Sequence, residues 1–136
     1  DGMSNYILKK IIKIYKKKKI NIIKSKILFI GCSFKENVTD TRNSKSIELI
    51  KKLQKLRAKV DVLDQVINED KIIDIRVFKS FKSINKNYYD AIIFSVIHNK
   101  FKKLIKKNYS KYLKNKKNIV IDINGFLPKD DSDFRL

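Results

Sequence analysis

Over residues 3–15 the apolar side chains fall at Met3, Tyr6, Ile7, Leu8, Ile11, Ile12, Ile14 and Tyr15, with lysines on the opposite face. That spacing predicts an amphipathic helix. The lysine run 16–19 closes it, and cations suit a helix C-terminus. Residues 26–31 (K-I-L-F-I-G) form a continuous apolar run stopped by glycine, the pattern of a strand buried on both faces. Helical spacing returns over residues 44–56 at Ile47, Leu49, Ile50, Leu53 and Leu56, with Asn43 or Ser44 as N-cap. Residues 59–63 alternate like a strand, residues 72–77 make a weaker one, and residues 78–84 suit a short helix. Residues 89–96 are a second clear buried strand, residues 99–106 and 109–113 two short helices, and residues 118–123 the last strand. The tail after Gly125 reads as irregular and acid-rich.

A helix, then β-α-β, then strands alternating with short helices predicts a Rossmann-like, doubly wound α/β fold. The expected parallel sheet has five or six strands in the order 3-2-1-4-5, with helices on both faces and a long N-terminal helix before it. The 136 residues suit one domain, with no internal repeat and no Pro/Gly/Ser linker. No apolar run reaches the roughly 18–20 residues of a membrane span, so no membrane partner is expected. The N-terminus shows no secretory signal pattern. A single cysteine, Cys32, excludes an intramolecular disulfide and fits a reducing cytoplasm.

The formal charge of +19 would attract anionic partners. Only four of the 33 basic residues are arginines, however, and Asn and Ile are abundant. An A+T-rich coding bias produces that pattern, so the charge reads first as a solvated lysine surface. Nucleic acid is therefore not the expected partner.

The loop after the first clear strand, residues 31–43, is longer than the roughly 2–6 residues usual for a βα connection. Long loops at the carboxyl ends of parallel strands commonly bind ligands. This one supplies Phe34, Lys35, Arg42 and several hydroxyls, and it feeds a helix N-terminus that favours phosphate. With one glycine it is neither a G-x-G-x-x-G fingerprint nor a P-loop. Asp64 ends the next strand where a Rossmann fold often keeps its ribose carboxylate, but without those glycines a structural role is favoured.

The stretch G-C-S-F-K-E-N-V-T-D-T-R-N-S, residues 31–44, resembles the G-x-x-F-K-x-x-x-x-D-x-R-x-S signature of the UDP-glucose/GDP-mannose dehydrogenase family's C-terminal domain. Its F-K-E-N-x-x-D-x-R-N-S form resembles the branch acting on UDP-N-acetylhexosamines for surface polysaccharides, the Vi-polysaccharide type included. The opening D-G-M-S-N-Y-I, the V-D-V-L-D at 60–64, the Y-D-A-I-I segment running to His98 and the closing F-R-L are similar to family segments too. The resemblance implies an NAD-dependent UDP-sugar 6-dehydrogenase that oxidises C6 to a carboxylate through a thiol adduct. It implies that residues 1–22 lead from a central domain and that residues 23–136 are the UDP-sugar-binding domain. Phe34 and Lys35 would contact the UDP-sugar, and Arg42 would contact NAD held mainly by another domain. Asp40 would orient Arg42 or the loop. The implied partners are UDP-sugar, NAD, the enzyme's other domains and a second copy in a homo-oligomer. Where the family often has Asp-x-(Lys/Arg), this chain reads Asp122-Ile123-Asn124. Asn124 could hydrogen-bond the ligand, but a cation is missing.

Each of these residues has a plainer reading. Phe34 could be core, Lys35 surface, and Arg42 a structural ion pair with Asp40. Cys32 reads as a buried strand-end residue, since the family's catalytic cysteine belongs to a G-G-x-C segment absent here; these residues alone are expected to be inactive. His98, the sole histidine, reads as a local hydrogen-bonding group, and no Cys/His/Asp/Glu cluster suggests a metal. A basic module binding nucleic acid or a protein, or a non-catalytic relic of the dehydrogenase, are the alternatives.

Overall fold

The apolar runs become the centre of a parallel sheet in the computed structural model, which describes residues 2–42 and 44–136. Asn43, the other candidate N-cap, and Asp1 lie outside the described residues. The chain runs α1 (Gly2–Lys18), β1 (Lys26–Ile30), α2 (Lys45–Lys55), β2 (Lys59–Leu63), β3 (Lys71–Ile72), β4 (Ile75–Phe78), β5 (Ala91–Phe94), α3 (Lys102–Asn108), β6 (Ile119–Asp122) and β7 (Phe134–Arg135). Among the described residues the sheet has seven strands in the order β3-β4-β2-β1-β5-β6-β7. All pairings are parallel except β3 with β4. The expected 3-2-1-4-5 order is its middle, and β3 and β7 extend it at the two edges.

Successive side chains of a strand point to opposite faces. Ile27 and Phe29 of β1 therefore join the core under α1 and α2, while Leu28 and Ile30 join a second core under α3. In α1, Ile7, Ile11 and Tyr15 repeat every four residues and are buried. Burying each contributes about 1.5–3 kcal/mol, so an Ile11→Ala change would loosen the helix from the sheet. The Tyr15 hydroxyl meets the Ser25 Oγ at 2.7 Å, which satisfies both buried groups. Lys19 then takes a left-handed conformation (φ 59) and ends the helix.

Three expectations change in the structure. The strand expected over 72–77 is broken by a turn, with Ile73 and Asp74 at positive φ, and folds back as the β3–β4 hairpin. The helix expected over 78–84 is one 3-10 turn, Phe81–Ser83, because Phe78 completes β4. The tail is not wholly irregular. The Asp133 carboxylate accepts the Val120 N–H (2.8 Å) and pairs with Lys18 (2.7 Å), and this docks β7 beside β6. Ser44 is the N-cap of α2, its hydroxyl accepting the Ile47 N–H.

Candidate functional site

The order of the sheet reverses at β1, which has β2 on one side and β5 on the other. A crevice opens beyond the carboxyl ends of strands at such a point. Here it lies between the connection after β1 and the connection after β5. Gly31 makes the close approach of the two connections possible. At φ +86 it occupies the left-handed region, and a Cβ there would overlap the carbonyl oxygen of Val96.

Asp64 at the end of β2 braces this junction. One carboxylate oxygen accepts the Cys32 N–H (2.9 Å), and the other accepts those of Val66 (2.8 Å) and Ile67 (3.1 Å). Burial raises its pKa, but His98 and the three N–H groups outweigh that and hold it below the usual carboxylate value. Asp64 is 1% exposed and its oxygens are occupied, so it does not present itself to a ribose. Cys32 is fully buried, and burial followed by the charges of Asp64 and Glu69 pushes its thiol pKa far up. It is a strand-end packing residue and no nucleophile. Among the described residues no three His, Cys, Asp or Glu side chains are grouped to hold a metal ion.

Loop 31–42 is tied down along its length. The Phe34 N–H donates to the Asp40 carbonyl, and the Ser33 hydroxyl donates to the Lys35 carbonyl (2.9 Å). The Asn37 N–H donates to His98 Nδ1 (2.8 Å), and the Thr41 hydroxyl donates to Glu69 (2.6 Å). The Ser44 hydroxyl also donates to the Cys32 carbonyl (2.9 Å). An open cleft of about 510 Å³ results, lined by Lys35, Glu36, Asn37, Ser95, Val96 and Asn124. Ser95 shares a hydrogen bond with Ser46 in the first turn of α2 (2.6 Å), so the N-terminus of that helix stands beside the cleft. Its dipole favours an anion there.

Two of the four residues singled out in the sequence meet in this cleft. Lys35 comes from the loop after β1, and Asn124 comes from the loop after β6. The second loop is shaped by buried Asp122, whose carboxylate accepts the N–H groups of Gly125 (2.8 Å) and Leu127 (2.9 Å). The Asn124 side-chain amide donates to Glu36 (2.8 Å) and bridges the two loops. Phe34 and Arg42 are outside the lining. Phe34 is 52% exposed, which rules out the core alternative. Arg42 is exposed and forks onto Asp40, with Nε–O at 3.1 and 3.2 Å and Nη2–O at 2.9 Å. This pair lowers the pKa of Asp40. The ion pair weighed from the sequence is thus present, and it leaves the outer edge of the guanidinium free for solvent or ligand. Sequence reasoning passed over Glu36, Asn37, Ser95 and Val96 as site residues. Glu36 and Asn37 lay within the loop already singled out, and Ser95 and Val96 closed the strand read at 89–96, which ends at Phe94 in the structure and leaves them at its carboxyl end.

The model of the UDP-glucose/GDP-mannose dehydrogenase family, UDP binding domain, matches residues 28–129. The chain is 34% identical over 136 residues to a UDP-N-acetyl-D-glucosamine 6-dehydrogenase of Salmonella typhi, spanning 100% of this chain and 32% of that protein. It is 29% identical over 136 residues to the UDP-N-acetyl-D-glucosamine 6-dehydrogenase of Pseudomonas aeruginosa, again with 100% and 32% covered. The solved structure of a UDP-D-ManNAc dehydrogenase from Pyrococcus horikoshii shares the fold, with a TM-score of 0.74 at 19% identity over 98% of this chain and 30% of that one. The chain therefore spans about a third of the length of the curated relatives it matches.

Proposed function

Because this chain belongs to the UDP-glucose/GDP-mannose dehydrogenase family, as its UDP binding domain, we propose that its cleft binds the nucleotide of a UDP-sugar in a UDP-sugar 6-dehydrogenase. The observation that carries the reading is the convergence of Lys35 and Asn124 at the switch point of the sheet, beside the N-terminus of α2. Lys35 supplies a mobile point charge suited to diphosphate oxygens. Asn124 can turn its amide from Glu36 to uracil, ribose or phosphate. Among the described residues Glu36 is the one carboxylate lining the cleft, and it is placed to accept from a ribose or sugar hydroxyl while repelling any anion set directly on it. Phe34, exposed on the same loop, would close over the ligand's apolar surface.

The chain's own β1–α2 turn does not fit a dinucleotide. It has one glycine, that glycine is committed to the contact with Val96, and Asp64 is fully engaged. In this reading NAD and the catalytic cysteine reside in other domains of the enzyme, residues 1–22 lead from one of those domains, and Arg42 reaches NAD from the rim. The substrate class is a UDP-hexose or UDP-N-acetylhexosamine oxidised to its uronic acid in the cytoplasm for surface polysaccharide. The working enzyme is a homo-oligomer, and these 136 residues alone are inactive.

The test is titration of the chain with UDP, UDP-N-acetylglucosamine and single-stranded DNA at two salt concentrations. UDP and the UDP-sugar should bind in the millimolar range or better, with weak salt dependence, and Lys35→Ala should weaken them. Phosphate-driven DNA binding instead falls steeply with salt. DNA binding with no UDP binding at millimolar concentration would overturn the proposal in favour of a basic nucleic-acid module.

A further inference from the structure

We propose that His98 is a positioning residue for the nucleotide loop. It holds Asn37, and through it Lys35, at the cleft in a geometry that only a neutral imidazole protonated on Nε2 sustains. The inference rests on the reading of the cleft as a UDP site.

His98 follows β5 and is 3% exposed. Its Nδ1 lies 2.8 Å from the backbone nitrogen of Asn37. A backbone N–H can only donate, so Nδ1 must carry a lone pair, and the ring proton must sit on Nε2. Nε2 lies 3.5 Å from Asp64 Oδ1, a long contact, and makes no hydrogen bond among the described residues. Asp64 is held ionised by three backbone N–H groups, so the atom facing Nε2 is an acceptor and favours that tautomer. The relay thus runs from the brace under the sheet end, through the ring, to the loop.

Asn37 receives this hold and adds its own. It takes a left-handed conformation (φ 62), which asparagine tolerates better than most side chains. Its Oδ1 accepts the N–H of Asn99 (3.0 Å). One loop residue is thereby clasped by two consecutive residues of the β5–α3 connection. Lys35 stands two residues before Asn37, and Ser33 fixes its carbonyl from the other side. Glu36 between them meets Asn124. The backbone that carries the lysine is pinned at both ends, so only the side chain has to be ordered when the ligand binds.

A histidine that only filled space would be best replaced by the residue nearest in volume. The clasp makes the opposite demand. Asparagine can place Oδ1 where Nδ1 stands, whereas glutamine, nearer in size, places its amide at the Nε2 end and leaves the Asn37 N–H without an acceptor. The experiment compares His98→Asn and His98→Gln in the full chain. It reads UDP affinity by calorimetry, exchange of the Asn37 amide by NMR, and the thermal midpoint of each variant. His98→Gln should lose Asn37 amide protection and weaken UDP binding by about five- to tenfold, the worth of one hydrogen bond. His98→Asn should keep both within about twofold of the parent. Long-range ¹⁵N correlation should find the parent ring protonated on Nε2. Equal behaviour of the two variants, a protected Asn37 amide in His98→Gln, or a proton on Nδ1 would overturn the proposal. If the parent binds no UDP, the functional reading of the cleft falls, and the clasp is still decided by the Asn37 amide in the two variants.

Discussion

Gly31→Ala isolates the contact on which the cleft is built. The new Cβ would overlap the Val96 carbonyl oxygen and come within 2.6 Å of its carbon and 2.8 Å of its nitrogen. These are backbone atoms and cannot swing aside. The φ of +86 adds strain of about 1–2 kcal/mol for an L-residue. Relieving the overlap means displacing the end of β1 from both neighbours, at the expense of the Gly31–Leu63 bond to β2 (3.0 Å) and the Ser95–Ile30 bond to the exit of β5 (2.9 Å). At about 1 kcal/mol each, these bring the total to about 3–4 kcal/mol. For a chain of this length that lowers the thermal midpoint by about 10–15 °C. Gly125→Ala is the internal control. Its φ is +79, but the nearest atoms its Cβ would meet belong to the flexible Arg135 side chain, at 3.3 Å. It should show the backbone strain alone, about 1–2 kcal/mol. Circular dichroism melts of both variants measure the difference. A Gly31→Ala midpoint no lower than that of Gly125→Ala would refute the close-approach argument.

Asp64 should govern part of the acid stability. Its folded pKa lies below the unfolded value, so it stabilises the fold above about pH 4 and loses that contribution as the pH falls through the folded value. Asp64→Asn should cost about 2 kcal/mol or more at neutral pH and flatten the decline of stability below about pH 4, read from urea unfolding over a pH series. Cys32 should resist iodoacetamide in the folded chain and react readily in urea, since burial and two nearby carboxylates oppose its thiolate; fast alkylation of the folded chain would contradict its packing. Arg42→Ala should leave the denaturation midpoint essentially unchanged, because its pair with Asp40 is exposed, and a clear drop in a chemical melt would mean that the pair braces the loop.

The central strands, the two main helices and their order were legible because period carries that information. A run such as Ile27–Phe29–Ile30 can be satisfied only by burial on both faces, and Ile47 to Leu53 can share one stripe only as a helix. The loop at 31–43 was legible by its length and chemistry, and Lys35 and Asn124 were picked from it and from the last strand's end. The tail, by contrast, read as irregular and acid-rich. Asp133 is a backbone acceptor for Val120, and no pattern in sequence announces a carboxylate that completes a sheet edge. The turn at Ile73 and Asp74 was hidden for a related reason, since a β-branched residue such as Ile73 rarely takes the positive φ it adopts there.

The sequence by itself determined the fold, its family and the loop that borders the cleft, since these depend on local periodicity and on a contiguous motif. The tertiary structure decided which groups share the cleft. Residues 35, 95 and 124 lie on three separate connections, and their meeting follows from the adjacency of β1, β5 and β6 in the sheet. It also decided the role of the lone histidine. Asn37 and His98 stand 61 positions apart, and a hydrogen bond across that distance exists only once the strands between them have paired.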